Sequence, residues 1–209
     1  MSNLLYIQAS PREGRSHSRA VADAFVETYG KTHPGATVRT LDLFKADLPA
    51  FDGLALQAKY SILHGQAHSD SEKRAWADIE RVIGEFLAAD RYVFAVPMWN
   101  FGIPYRLKHY LDVIIQPGHT FSWSEEAGYQ GLARGRRAVA VYARGGAYPE
   151  GSPEAAYDLQ RRYFEQALGF IGITDVIPVV VEPTLAGPQA ADAAREAGVR
   201  RALDLARTF

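Results

Sequence analysis

The chain has no cysteine. That excludes disulfides, thiolate catalysis and cysteine-ligated metal, and it suits a reducing compartment. Net charge is almost absent: 23 Lys and Arg stand against 24 Asp and Glu, a formal −1. Nothing in that balance advertises a nucleic-acid or membrane partner. No run of about 18 apolar residues is present to cross a bilayer. The opening "MSNLLYIQAS" lacks the basic region and long apolar core of a secretory signal, so a cytoplasmic location is expected. Repeats and low-complexity tracts are missing as well; the Ala-rich "AGPQAADAAREAGVRRALDLA" reads as a helix. Neither G-x-G-x-x-G nor G-x-x-x-x-G-K-[ST] follows the first apolar run, which disfavours a Rossmann dinucleotide turn and a P-loop.

What is present is an ordinary globular composition, 47% hydrophobic and 22% charged over 209 residues. That length is enough for one large domain, read here as residues 1–209. Strand and helix patterns alternate. "LLYIQ" (4–8), "TVRTLDL" (37–43), "YVFAV" (92–96), "AVAVYA" (138–143) and "DVIPVVVE" (175–182) read as strands. Between the first two, Val21, Ala22, Phe25, Val26 and Tyr29 share one helical face. Ser69 and Glu72 form a capping box ahead of an amphipathic helix carrying Trp76, Ile79, Val82, Ile83 and Phe86. Pro104 suits the first turn of a helix with Leu107, Leu111 and Ile114 inward. Ser152 and Pro153 should start another helix, Gly169 should end it, and Pro188 should open the last. Residues 50 to 68 form a long excursion with room for a short helix. His64 and His68 have i, i+4 spacing, but Gly65 lies between them and no third ligand is near, so no metal site is expected.

Apolar strands alternating with helices indicate an α/β fold: a parallel sheet covered on both faces. Pro178 cannot donate to a ladder, which places the fifth strand on an edge. Together these predict a flavodoxin-like three-layer sandwich, its five-stranded parallel sheet ordered 2-1-3-4-5, with ligand bound outside the strands' carboxyl ends.

Three segments leave those ends. "SPREGRSHS" (10–18) meets a helix N-terminus, where free N–H groups and the dipole favour an anion and serine hydroxyls add donors. Serines that merely cap the helix would look the same. "PMWNF" (97–101) sets aromatic and thioether side chains beside an amide, a platform for a planar heteroaromatic ring, though Trp99 and Phe101 could equally anchor a loop. "ARGGAY" (143–148) offers two glycines, for close backbone approach or for a tight turn. Phosphate donors, a ring platform and a glycine turn at adjoining strand ends together describe a flavin mononucleotide site.

The sequence resembles the FMN-dependent NADH-azoreductases, which belong with the flavodoxin-like NAD(P)H quinone reductases. The matching residues are "SHS" (16–18), "PMWNF" (97–101), "LKHYLD" (107–112), "GHTF" (118–121), "RGG" (144–146) and "LGFIGITDV" (168–176), spread over most of the chain. The resemblance implies that Ser10, Ser16, His17 and Ser18 take the FMN phosphate. It puts Met98, Trp99, Asn100 and Phe101 along the ring, with Ala143, Arg144, Gly145 and Gly146 at its polar edge. "PREG" (11–14) departs locally, placing Pro11 and Arg12 in the phosphate loop. His119, Phe121 and Tyr148 are candidates for the substrate face; core packing is as good a role for Phe121. Arg144 would put positive charge at the ring edge, and a structural arginine paired with carboxylates is the rival. The "LGFIGITDV" segment is read as a helix-to-strand turn.

The resemblance implies a homodimer with sites at the subunit interface. NADH or NADPH reduces bound FMN, and a quinone or azo compound then takes two electrons in the same place, a ping-pong sequence needing no catalytic side chain. The rivals are a flavodoxin-type one-electron carrier and an FMN-binding interaction module. A carrier would be expected to have a strongly acidic surface, against 24 acids and 23 bases here.

Overall fold

The computed structural model describes residues 2–209. In chain order its regular elements are β1 (Asn3–Gln8), α1 (His17–Thr32), β2 (Thr37–Asp42), α2 (Gly53–Leu63), α3 (Asp70–Leu87), β3 (Arg91–Pro97), α4 (Tyr105–Ile114), β4 (Phe121–Ser124), β5 (Gly128–Gly131), β6 (Arg137–Ala143), α5 (Leu159–Phe170), β7 (Asp175–Val181) and α6 (Pro188–Thr208). β2, β1, β3, β6 and β7 lie side by side in that order, and each pair is parallel. This is the expected 2-1-3-4-5 sheet. Pro178, opposite Ala140, sits on the edge strand, where its missing N–H breaks no ladder.

The apolar runs are continuous because both faces are covered. Leu5, Ile7, Tyr92, Phe94 and Tyr142 pack on one side with Phe86, Leu107, Leu111, Phe164 and Leu168 from α3, α4 and α5. Leu4, Tyr6, Val93, Val139 and Val141 alternate to the other side, against Val21, Phe25, Tyr29, Ala202 and Ala206 from α1 and α6. Each fully buried Leu or Phe contributes about 1.5–3 kcal/mol by transfer from water. No helix among the described residues is long and apolar enough to cross a membrane.

The capping box of α3 is formed: the Ser69 hydroxyl accepts from Glu72 N at 3.2 Å, and the Glu72 carboxylate accepts from Ser69 N at 2.6 Å. The 50–68 excursion contains α2, capped by the Asp52 carboxylate. His64 lies just past its end and Gly65 takes φ 64°, so the His64–His68 spacing does not fall on a helix.

Two expectations need correction. The helix expected from Ser152 to Gly169 is a short 3-10 turn over 153–157 followed by α5. Asp158 restarts it, its carboxylate accepting from Arg161 N at 3.0 Å, and Gly169 stays inside. The chain turns instead at Gly172, where φ is 100°. The second is an unexpected antiparallel hairpin, β4 with β5. It docks on the turn after α5: a Cβ at Gly131 would come within 2.3 Å of Gly172 N, and Ala133 N donates to Ile171 O at 2.8 Å. The "LGFIGITDV" segment is thus a helix-to-strand turn, and also the seat of that hairpin.

Candidate functional site

The carboxyl ends of β1, β3, β6 and β7 open on one cavity of about 140 Å³. The β1–α1 loop forms one wall. Lys45 holds Glu13 at 2.8 Å, and Arg19 reaches Ser10 O at 3.3 Å and Asp42 at 3.4 Å, so the loop is tied to β2. Ser10 and Ser16 line the cavity. Ser16 is also the N-cap of α1, its hydroxyl accepting from Arg19 N at 3.4 Å, so the capping role holds as well. Ser18 is fully buried behind it, its Oγ 3.3 Å from that of Ser16. His17 lines the cavity at the start of the helix. Burial lowers its pKa, and the charges of Arg195 and Arg12 push the same way.

The second wall is Pro97, Met98 and Trp99. Met98 N donates to Ala143 O at 2.8 Å, continuing the sheet one residue beyond β3. Trp99 sits in an aromatic trio, 5.9 Å from Phe44 and 6.2 Å from Tyr105 between centroids, so it anchors its loop while lining the cavity. The chain then reverses in a two-residue turn closed by Trp99–Gly102 hydrogen bonds of 3.0 Å each way. Asn100 and Phe101 form its tip with φ of 47° and 69°. Asn tolerates that left-handed region; Phe does not. The Phe101 ring, 47% exposed, leans on Tyr157 at 5.4 Å, beyond the cavity wall. Phe101→Asn should raise apoprotein stability by about 0.5 kcal/mol, the relief of left-handed strain outweighing one aromatic contact. Urea denaturation of the apoprotein checks the sign, since loss of a packed phenylalanine would lower the midpoint.

Ala143 and Gly145 from the β6 end complete the floor. Arg144 between them is turned away. Its guanidinium is 3% exposed and bonds Asp158 at 2.6 Å, Glu182 at 3.2 Å and Gln160 at 3.0 Å. These pairs match the second of the two roles left open for Arg144, a structural clamp joining the ends of β6 and β7 to the start of α5. Gly146 lies under Tyr148, and both stand outside this cavity. Tyr148 lines a neighbouring cavity of about 510 Å³. That one is larger, but Arg161 and Arg162 alternate there with Glu150, Glu165 and Glu182, and it has no ring platform. The smaller cavity is the better candidate because the helix N-terminus and the Met98–Trp99 wall meet in it.

His119 and Phe121 do not reach either cavity. α4 carries the chain from the carboxyl to the amino edge of the sheet before them. His119 meets Glu80 at 3.5 Å and Trp76, while Phe121 packs on Phe170 at 4.8 Å and on Tyr129. Four wall residues fell outside the expected set: Arg12, Pro97, Thr184 and Leu185. Thr184 N donates to Arg144 O at 2.9 Å, and Leu185 N to Gly145 O at 3.0 Å. Leu185 is 83% exposed, and its Cδ1 would lie 2.7 Å from a Cβ at Gly145. The signal for this pair was the strand-end rule itself, applied to β7 as well as to the other strands.

A family model described as a flavodoxin-like fold matches residues 2–205. A relative from Nitratidesulfovibrio vulgaris named FMN-dependent NADH:quinone oxidoreductase is 53% identical over 210 residues, covering 100% of both chains. The chain belongs to the flavodoxin-like quinone oxidoreductase and azoreductase family. Among solved members, an azoreductase from Bacillus anthracis str. Sterne superposes with a TM-score of 0.91 at 32% identity, covering 100% of both chains. An FMN-dependent NADH-azoreductase from Bacillus anthracis str. Ames Ancestor, solved in complex with FMN, superposes with a TM-score of 0.87 at 27% identity, covering 99% of this chain and 100% of that one.

Proposed function

We propose that this chain is an FMN-dependent oxidoreductase that carries two electrons from NADH or NADPH to quinones and azo compounds. The observation that carries the reading is the cavity itself: serine hydroxyls and the N-terminus of α1 at one end, Met98 and Trp99 along the side, and no carboxylate in the walls. Such walls accept a phosphate and a flat ring and would repel neither. The family names support the same cofactor and substrates.

In this reading Ser10, Ser16, His17 and Ser18 hold the phosphate with the main chain of α1. Met98, Trp99, Asn100 and Phe101 support the ring, and Ala143 to Gly146 approach its polar edge, Arg144 through its main chain only. Bound FMN supplies the exchange of electron pairs between donor and acceptor. The protein orients the ring, keeps one face open and admits donor and acceptor in turn. No side chain in the walls is required to form a covalent bond.

About 140 Å³ is small for a cofactor pocket, which typically measures about 300–1,000 Å³. That size suits a site completed by a second copy of the chain. We read residues 1–209 as one domain that works in the cytoplasm as a homodimer, with the sites at the interface. His119 and Phe121, remote from their own cavity, would then line the substrate face of the partner's site. Tyr148 lines the neighbouring cavity beside its own.

Anaerobic mixing with NADH, then with NADPH, tests the enzyme reading. Rapid bleaching of bound flavin is expected with at least one of them. A one-electron carrier or an FMN-binding interaction module would not bleach at a catalytically useful rate. With a quinone as the second substrate, double-reciprocal plots should be parallel, because donor and acceptor share one platform. Intersecting lines would sink the shared platform while leaving the enzyme reading in place.

A further inference from the structure

Arg12 brings to the cavity something the serine loop lacks. It is the one permanently charged side chain in the walls, and no carboxylate stands there to neutralise it. The other cations around the N-terminus of α1 are occupied. Arg19 pairs with Asp42 at 3.4 Å, Lys45 with Glu13 at 2.8 Å, and Arg195 with Asp192 at 2.8 Å. Arg12 and Arg15 are both exposed, but Arg15 lies outside the walls. Among the described residues Arg12 has no ion-pair or side-chain hydrogen-bond partner.

Its position is built. Arg12 N donates to the Ser10 hydroxyl at 3.4 Å, and Arg12 O accepts from Arg15 N at 3.0 Å. Its backbone is helical, φ −77° and ψ −2°, at the entrance of the 3-10 turn over 13–15, which the Lys45–Glu13 pair fastens to the end of β2. The charge also reaches His17, adding to burial and Arg195 in lowering that imidazole's proton affinity. The phosphate end is therefore short of negative charge before any ligand arrives.

We infer that Arg12 is a phosphate-selecting residue: its guanidinium pairs with the terminal phosphomonoester of the flavin and sets the preference for FMN over riboflavin. This rests on the FMN reading above. A planar guanidinium matches two phosphate oxygens at once, which a hydroxyl cannot do. The dianion would meet Ser10 and Ser16 on one side and Arg12 on the other.

The test is titration of flavin-stripped protein with FMN and with riboflavin, read by fluorescence quenching, for wild type and Arg12→Gln. FMN affinity should fall about tenfold to a hundredfold, the range for a lost charge-assisted hydrogen bond, while riboflavin affinity holds. The salt dependence of FMN binding should also weaken. Unchanged FMN affinity, or an equal loss for both flavins, overturns the inference. Should Arg12→Gln fail to fold by circular dichroism, Arg12→Ala decides, since it removes the charge and the fork at an exposed position with little packing to lose. A selective FMN loss there supports the pairing, and equal behaviour toward both flavins overturns it. Wild-type protein that binds neither flavin sinks the functional reading itself, and the role of Arg12 with it.

Discussion

Replacing Arg144 with leucine is expected to destabilise the fold by about 3–5 kcal/mol, the cost of removing one partner from a buried ion pair. Arg144 is 3% exposed and faces two carboxylates, Asp158 and Glu182, themselves only 12% and 18% exposed. The cluster already carries one more negative charge than positive. Without the guanidinium, Asp158 and Glu182 lose their direct ion-pair partner, and Gln160 loses a donor. The damage should spread to the candidate site. Arg144 N donates to Val181 O, and its carbonyl accepts from both the N–H and the hydroxyl of Thr184, so the floor of the cavity is hung on this residue. Urea denaturation of the stripped protein measures the first effect. Adding Glu182→Gln to the leucine variant should recover part of the loss, because it removes one of the two unpaired charges. No recovery would mean that lost packing, not charge, is what Arg144 contributes.

The same residue shows where the sequence stops being informative. "ARGGAY" locates a strand end and a glycine turn, because burial on both sheet faces and conformational freedom are local properties. It does not say which way a long side chain points. The partners of Arg144 lie 14 and 38 residues away, at the N-cap of α5 and just past β7. The five strands and their order were legible for the opposite reason: a parallel sheet covered on both sides writes continuous apolar runs, and Pro178 marks the edge. The hairpin of β4 and β5 was not, since four-residue strands leave too short a period, and what fixes it is Gly131 seated on Gly172, 41 positions on. A substrate-face role for His119 and Phe121 rests on the resemblance alone. Within one chain the connectivity of α4 carries them to the far edge. Leu185 follows the end of β7 just as the other wall segments follow the ends of β1, β3 and β6.

The second large effect is expected at Ser18. Its hydroxyl is fully buried in the first turn of α1, 3.3 Å from that of Ser16, where the anion end of the cavity begins. Ser18→Ala removes one hydroxyl and should weaken FMN binding about tenfold, the lower end for a hydrogen bond to a charged group. Ser18→Asp should do far more. It loses that bond and sets a carboxylate beside a dianionic phosphate. At about 5 Å and an effective dielectric near 20, each unit of phosphate charge costs about 3 kcal/mol. Screening and side-chain rotation reduce this, and the expected loss is about a thousandfold. The helix dipole offsets only part of the cost of desolvating a carboxylate at this fully buried position, so apoprotein stability should fall as well. The flavin comparison, not apoprotein stability, separates a ligand effect from a fold effect. Riboflavin gives the control, as it lacks the phosphate and should lose little in Ser18→Asp. Equal losses for FMN and riboflavin would reduce Ser18 to a helix residue, and an unchanged FMN affinity would move the phosphate away from α1 altogether.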